Sequence, residues 1–300
     1  MENTTLKYGK LHSFIVVSTF FALWLAVFFG DDVENILAYV LILTFGILHG
    51  ANDLKLLQKS KHTNISGKGF VTVLAYYIIF VGTSLALFYF IPTIALLSFI
   101  IFSGYHFGEQ HWVFKVKESR IVGYVFYLSY GLFILFLLFY AHWSEVSGVI
   151  ATITGHDLPK WVYGYGLVFS ALGSITALGY LWYKGSVRAN LPKEVFFVLV
   201  FFVIFNTASL LWAFAIYFIL WHSLPSLADQ IMYLYGNIGR RSIRNYIRSS
   251  FPYWIISVLG LLLLLFVFRN NVETSLSFFF SFLAAITFPH VLVINRLNRD

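Results

Sequence analysis

The segment IPTIALLSFIIFSGYHFGEQHW, residues 91–112, begins as an apolar run and ends with two histidines and a glutamate. Its length is close to the roughly 20 apolar residues that an α-helix needs to cross a bilayer. Polar groups at membrane depth are costly and tend to mark functional sites. His106 and Glu109 therefore predict chemistry inside a membrane helix.

Composition places the whole chain in the same class. Of 300 residues, 59% are hydrophobic and 11% are charged, with a mean hydropathy of +0.80. We therefore expect an all-α integral membrane protein, residues 1–300 forming one polytopic domain, and no soluble globular fold. Cysteine is absent, which excludes disulfides and thiolate metal sites. The net charge of +7 comes from basic residues in short loops between apolar runs, so we expect a bilayer and no nucleic acid as partner.

The apolar runs predict about ten transmembrane helices. They cover residues 11–29, 36–57, 70–90, 92–114, 120–141, 161–183, 194–206, 208–234, 252–268 and 274–295. Only the letters NTAS separate the seventh run from the eighth, so these are either two helices or one broken helix, and nine spans is the alternative count. Lysine and arginine concentrate in alternate loops, for example Lys115, Lys117 and Arg120, whereas the loop with Asp31, Asp32 and Glu34 is acidic. The positive-inside rule then places both termini in the cytoplasm and the chain in the inner (cell) membrane.

Four histidines are expected to share one depth in that membrane. They are His49, His106, His222 and His290. Each lies roughly 13–16 residues after the outer end of an even-numbered span, which at 1.5 Å per residue is about 20–24 Å down. Neutral imidazole is a ligand for iron, copper, nickel or zinc, so the shared layer predicts a metal site. The alternative is that each histidine only makes hydrogen bonds between helices.

Carboxylates follow two of these histidines. Asp53 comes four residues after His49, and Glu109 three after His106, which places each pair on one helical face. Metal-bound histidines usually donate their second N–H to a carboxylate, so Asp53 and Glu109 are expected to orient the ligands. In the alternative, both cap their helices at the cytoplasmic interface and pair with Lys55 or Lys115. His111, further along the same helix as His106, is the reserve ligand.

Small and kinking residues stand next to the four histidines. Gly50 and Gly108 are expected to allow neighbouring helices to approach closely. Pro225 and Pro289 are expected to kink their helices and open room for a bound molecule.

The histidines sit in four short motifs, which are HGAND (residues 49–53), HFGE (106–109), FAIYFILWHSLP (214–225) and FPHVLVINRL (288–297). In order and spacing they resemble the Brp/Blh family of membrane β-carotene 15,15′-dioxygenases. The resemblance implies a non-haem Fe(II) enzyme that uses dioxygen to split the central double bond of β-carotene, or a related carotenoid, into retinal. The third motif of that family usually has a second histidine four residues on, where this chain has Ser226. The fourth ligand is then His290 or His111, or the site has three histidines, or the reaction has been lost or changed.

An enzyme for a long apolar polyene should have an aromatic-lined tunnel that opens to lipid. Aromatic residues make up 20% of the chain, which is enough to line such a tunnel. The principal alternative is a non-catalytic carrier or accessory protein that binds a carotenoid or retinal. A haem protein with two histidine ligands is a further alternative. A di-iron desaturase is excluded, because the sequence lacks the HxxxH and HxxHH motifs of that class.

Overall fold

The computed structural model describes residues 2–59, 68–117, 121–267 and 272–297. Throughout those residues the regular elements are helices, and extended pairing is limited to an antiparallel bridge between Val116 and Val187. The first seven helices are α1 (Glu2–Phe28), α2 (Asp31–Leu41), α3 (Ile47–Gly50), α4 (Asp53–Lys59), α5 (Lys68–Phe90), α6 (Pro92–Trp112) and α7 (Ile121–Ala141). The remaining helices are α8 (Trp143–Thr154), α9 (Lys160–Tyr183), α10 (Leu191–Thr207), α11 (Leu210–Ala215), α12 (Leu224–Tyr235), α13 (Arg240–Val267) and α14 (Val272–Leu297).

Eight helical segments of the described chain are long and apolar enough to cross a membrane. They are Gly9–Phe28, Asp31–Lys59, Gly69–Phe90, Ile121–Ala141, Lys160–Tyr183, Leu210–Tyr235, Arg240–Val267 and Phe278–Asn295. The other two predicted spans also form helices, but they fall short of this standard. Helix α6 ends in a cluster of polar side chains, and α10 has 17 residues where roughly 20 are needed. The chain is thus an all-helical membrane protein with eight clear candidate spans.

The break at NTAS separates two helices. Helix α10 ends at Thr207 and α11 begins at Leu210. The backbone N–H of Ser209 donates a hydrogen bond of 2.6 Å to the carboxylate of Glu34, which is buried near the start of α2. This contact joins the N-terminus of α11 to the N-terminus of α2. The two helices therefore begin side by side.

Two stretches wind more widely than an α-helix. Ile42–Gly46 joins α2 to α3, and Ile216–Ser223 joins α11 to α12, both as π-helix. The segments pack against each other, because a Cβ atom added to Gly46 would lie 2.9 Å from the ring of Phe218. The indole N–H of Trp254 in α13 donates a 2.7 Å hydrogen bond to the carbonyl of Leu43, inside the first segment. π-Helical turns are rare and frequently occur at functional sites.

Helices α6 and α7 approach until their backbones touch. A Cβ atom added to Gly108 would overlap the carbonyl oxygen of Tyr127, and one added to Gly131 would overlap the carbonyl oxygen of Gly104. The close approach predicted for Gly108 is therefore present. Gly50 differs, because a Cβ there would meet the ring of His290 at an ordinary 3.7 Å. Glycine fixes α6 firmly on α7, and His106 on α6 is placed by that contact.

Candidate metal and substrate site

The structure brings the four predicted histidines into one buried cluster. His49 lies in α3, His106 in α6, His222 in the second π-helix and His290 in α14. The rings form a closed circuit with centroid distances of 4.7 Å (His49–His290), 5.3 Å (His290–His106), 4.7 Å (His106–His222) and 5.3 Å (His222–His49). At most 6% of each residue is exposed. Residues up to 241 positions apart in sequence thus meet at one point, as expected from their common depth.

Asp53 holds one of these rings, although not the one that sequence spacing indicated. The Nδ1–H of His290 donates a 2.8 Å hydrogen bond to Oδ1 of Asp53. We expected Asp53 to lie beneath His49 on one helical face. The chain instead leaves the helix in a turn at Ala51 and Asn52 and restarts at Asp53, so the carboxylate points to α14. Lys55, the alternative partner, donates to the hydroxyl of Tyr235 at 2.7 Å.

Tyr77 completes this pair from α5. Its hydroxyl donates a 3.0 Å hydrogen bond to Oδ2 of Asp53, so the carboxylate has one donor on each oxygen. The sequence did not point to Tyr77, because it is one tyrosine within a uniformly apolar segment. His49 is fixed differently, since its Nδ1–H donates to the carbonyl of Gly46 in the π-helix. In both histidines the engaged Nδ1 leaves Nε2 as the nitrogen that can bind a metal.

Several ring nitrogens are buried without a hydrogen-bond partner among the described residues. They are both nitrogens of His106, Nδ1 of His222 and Nε2 of His290. An unsatisfied buried polar group costs on the order of 1–3 kcal/mol, so four of them at one point favour a bound ligand, ion or water at the cluster. No group of three or more His, Asp or Glu side chains in the described chain is arranged, as the side chains stand, to enclose a metal ion. The donor set nevertheless suits a metal, because it combines neutral imidazoles with a carboxylate that fixes one ring.

Glu109 and His111 each have a hydrogen-bond partner outside the histidine cluster. The hydroxyl of Tyr105 donates to Glu109 at 3.0 Å, and neither nitrogen of His106 has a hydrogen-bond partner within the described residues. Glu109 therefore makes no hydrogen bond to His106, and its role in orienting that ligand stays a prediction. His111 Nε2 lies 2.7 Å from the carboxylate of Glu194, to which Lys115 also pairs at 2.8 Å. The role of His111 as a reserve metal ligand stays a prediction, but its Nε2 already contacts Glu194.

Lys115 belongs to that group, just beyond the C-terminal end of α6. Burial lowers the pKa of its ammonium, and the neighbouring Glu194 carboxylate opposes this shift. Lys115 also lies 3.1 Å from His111 Nε2. Lys115, the alternative partner of Glu109, thus pairs with Glu194 of α10.

Ser226 lies in a polar network behind His49. Gln230 donates 3.1 Å to the Ser226 hydroxyl and 2.8 Å to the carbonyl of His49, and it accepts a 2.6 Å hydrogen bond from the hydroxyl of Tyr246. All these side chains are buried. Ser226, where the family resemblance predicts a histidine, is therefore a small group in the network that supports the backbone carbonyl of His49. Gln230 and Tyr246 carry no feature in the sequence that marks them for this role.

A cavity of about 670 Å³ adjoins the cluster between α5, α13 and α14. His49, Asp53, Tyr77 and His290 form one end, and most of its wall is apolar, including Leu74, Val81, Phe218, Phe282 and Leu283. The ring of Phe218 stacks on His222 with centroids 5.7 Å apart. Such a volume lies within the range of small-molecule sites. An apolar ligand in this space would lie directly against two of the four histidines.

A model of the beta-carotene 15,15′-dioxygenase family matches residues 40–298, a range that includes all four clustered histidines as well as Asp53 and Tyr77. No curated protein and no solved structure matches the chain.

Proposed function

The chain belongs to the beta-carotene 15,15′-dioxygenase family, and from that premise we propose that it cleaves β-carotene, or a closely related carotenoid, at the central double bond with dioxygen. In this reaction the C=C and O–O bonds break, and each carbon keeps one oxygen atom as an aldehyde, which gives retinal. We place the reaction at a non-haem Fe(II) ion held by His49, His106, His222 and His290. The family supports the carotenoid substrate, whereas the iron and the ligands are our assignment.

One observation supports the assignment above all others. Four imidazole rings from four separate helical segments are in mutual contact. In three of them, ring nitrogens are buried without a hydrogen-bond partner among the described residues. Histidines that served only to link helices would hydrogen-bond across the interface, because an unpaired buried nitrogen destabilises the fold. Iron bound by these nitrogens supplies the activation of dioxygen that the protein itself cannot provide.

The side chains around the cluster have definable roles. Asp53 accepts a hydrogen bond from the Nδ1–H of His290, which leaves Nε2 as the nitrogen for the metal, and Tyr77 holds Asp53 in place. The carbonyl of Gly46 does the same for His49. The apolar cavity beside His49 and His290 binds the polyene by shape and excludes water, so one double bond is brought to the cluster.

We further propose a ten-span topology with both termini in the cytoplasm of a cell with an inner membrane. Helices α6 and α10 are included because they are flanked by clear spans and because the loop charges alternate only if both are counted. In this topology α6 crosses the membrane, and its polar C-terminal part, which includes His106, lies within the bilayer.

Metal content is the decisive test. Wild-type protein purified in detergent should hold about one iron per chain, as a mononuclear site requires, and form retinal from β-carotene. His106→Ala should lose both, whereas His156→Ala, at an exposed position in the loop after α8, should lose neither. Folded wild-type protein without metal or retinal formation would exclude the oxygenase and favour a carotenoid carrier.

A further inference from the structure

The cavity beside the histidine cluster opens sideways. Three apolar side chains that line it, Ile78, Leu85 and Ile256, are also exposed on the outer surface of the helices, by 60%, 42% and 69%. Ile78 and Leu85 belong to α5, and Ile256 belongs to α13. Few residues of either helix are covered by the rest of the protein, so the outer surfaces of both helices face the hydrocarbon of the bilayer. The mouth of the cavity is therefore directed at lipid and away from the aqueous phases.

The gap exists because α5 and α13 do not pack closely on each other. Helix α5 packs against α14, α6 and α4, and helix α13 packs against α14, α3 and α12, whereas the two share at most a marginal contact. The cavity fills the space between them, with α14 as its back wall. Helices that line a sealed core would close such a gap with side chains, because packed interiors leave few voids.

Two glycines keep this gap open. Gly82 on α5 and Gly260 on α13 both line the cavity, and both are exposed. A Cβ atom added to either would meet no atom within 4 Å. Neither has the positive φ that demands glycine. These glycines thus serve neither close helix packing, as Gly108 does, nor a strained turn; what they provide is empty space at the mouth.

We propose that the gap between α5 and α13 is the lateral entrance for the carotenoid, and that Gly82 and Gly260 set its width. This inference rests on the proposed function, and it adds the route by which a long apolar rod leaves the bilayer and reaches the histidines. The chemistry of the wall agrees with such a ligand. The residues between the mouth and the cluster are aliphatic or aromatic or carry hydroxyl groups, and the charged group lining the cavity, Asp53, is buried and paired next to the cluster.

The absence of cysteine from the chain permits a reversible test. Gly82→Cys and Gly260→Cys each add a small side chain to open space, so both variants should fold and bind iron like the wild type, and each unlabelled variant is the reference for its own labelled form. Modification of the new thiol with a bulky aromatic methanethiosulfonate reagent should then lower kcat/KM for β-carotene at least about tenfold, equivalent to about 1.4 kcal/mol. A reductant should remove the label and restore activity in the same sample.

Gly179→Cys is the matched control. Gly179 lies on α9, is exposed, and also has no atom within 4 Å of an added Cβ, but it does not line the cavity. Its modification should leave kcat/KM unchanged, and iron per chain should stay constant in all labelled samples.

The outcomes separate the two proposals. If the wild type cleaves β-carotene and both labelled cavity variants keep its kcat/KM, the entrance is elsewhere, and the proposed function stands. If all three labelled variants lose activity alike, the loss comes from modification of the protein surface, and the inference also falls. If the wild type neither binds iron nor forms retinal, the proposed function itself has failed.

Discussion

The Asp53–His290 hydrogen bond should control how tightly the site holds its metal. The bond is 2.8 Å long, and less than 4% of either residue is exposed, so solvent cannot replace the lost partner. A hydrogen bond to a charged group contributes about 1.5–3 kcal/mol, against about 0.5–1.5 kcal/mol for a neutral pair. Asp53→Asn keeps the size but loses the charge, and should weaken metal binding by about 1–1.5 kcal/mol, roughly five- to tenfold.

Two further variants should bracket that value. Asp53→Ala removes the acceptor altogether and should weaken metal binding about 10–100-fold, the usual effect of losing a group that orients a ligand. Tyr77→Phe removes only the donor that holds Asp53, so its effect should be smaller than that of Asp53→Asn. Asp32→Asn, at an exposed position in the first turn of α2, is the control and should bind like the wild type.

Competition with a chelator of known affinity, using Fe(II) or Co(II), measures these dissociation constants directly. The predicted order of affinity is wild type and Asp32→Asn, then Tyr77→Phe, then Asp53→Asn, then Asp53→Ala. If Asp53→Ala binds metal as tightly as the wild type while remaining folded, His290 is not a metal ligand and the four-histidine site is refuted.

Three other predictions follow from the packing around the cluster. Gly108→Ala should lower the free energy of unfolding by about 1–3 kcal/mol, because its Cβ overlaps the α7 backbone, whereas Gly148→Ala, with open space around it, should be neutral in the same thermal unfolding assay. Ser226→His should not raise metal per chain and should reduce retinal formation, because the buried serine supports Gln230 and leaves no room; increased activity would show that the site lacks a ligand. His111→Ala should keep the metal content of the wild type, and metal loss with intact folding would make His111 a ligand after all.

The arrangement of the helices could be predicted from sequence because hydropathy and helical rise are local and regular. Each predicted span coincides with a helix or a succession of helical segments, broken in the second span by the turn at Ala51 and Asn52, and NTAS marks the junction between α10 and α11. Hydropathy finds fewer membrane crossings than predicted, since the polar groups of α6 lower the hydropathy of that helix. Polar residues of a site within a membrane helix thus lower the mean hydropathy by which such helices are recognised.

The meeting of four histidines could be foreseen, but their partners could not. Counting residues from the outer surface requires only a constant rise per residue. The pairing of Asp53 with His290 depends on a turn at Ala51 and Asn52 that the apolar pattern does not show. Tyr77 reaches Asp53 from a different helix, and no local spacing records that contact. Long-range hydrogen bonds of this kind are set by packing alone.

The two π-helical stretches have a consequence for how this protein tolerates changes in chain length. A π turn is an α turn with one residue added, and one residue turns the rest of a helix by about 100°. His222 belongs to the stretch Ile216–Ser223, and His49 follows closely after Ile42–Gly46. Deleting one residue from either stretch would convert the wide turn to an α turn and leave the rest of the helix in its present orientation, whereas a deletion in a regular α-helical part would rotate the residues beyond it by about 100°. The π-helical stretches are therefore the positions in these two segments where the chain can lose one residue while the helix beyond them still faces the cluster.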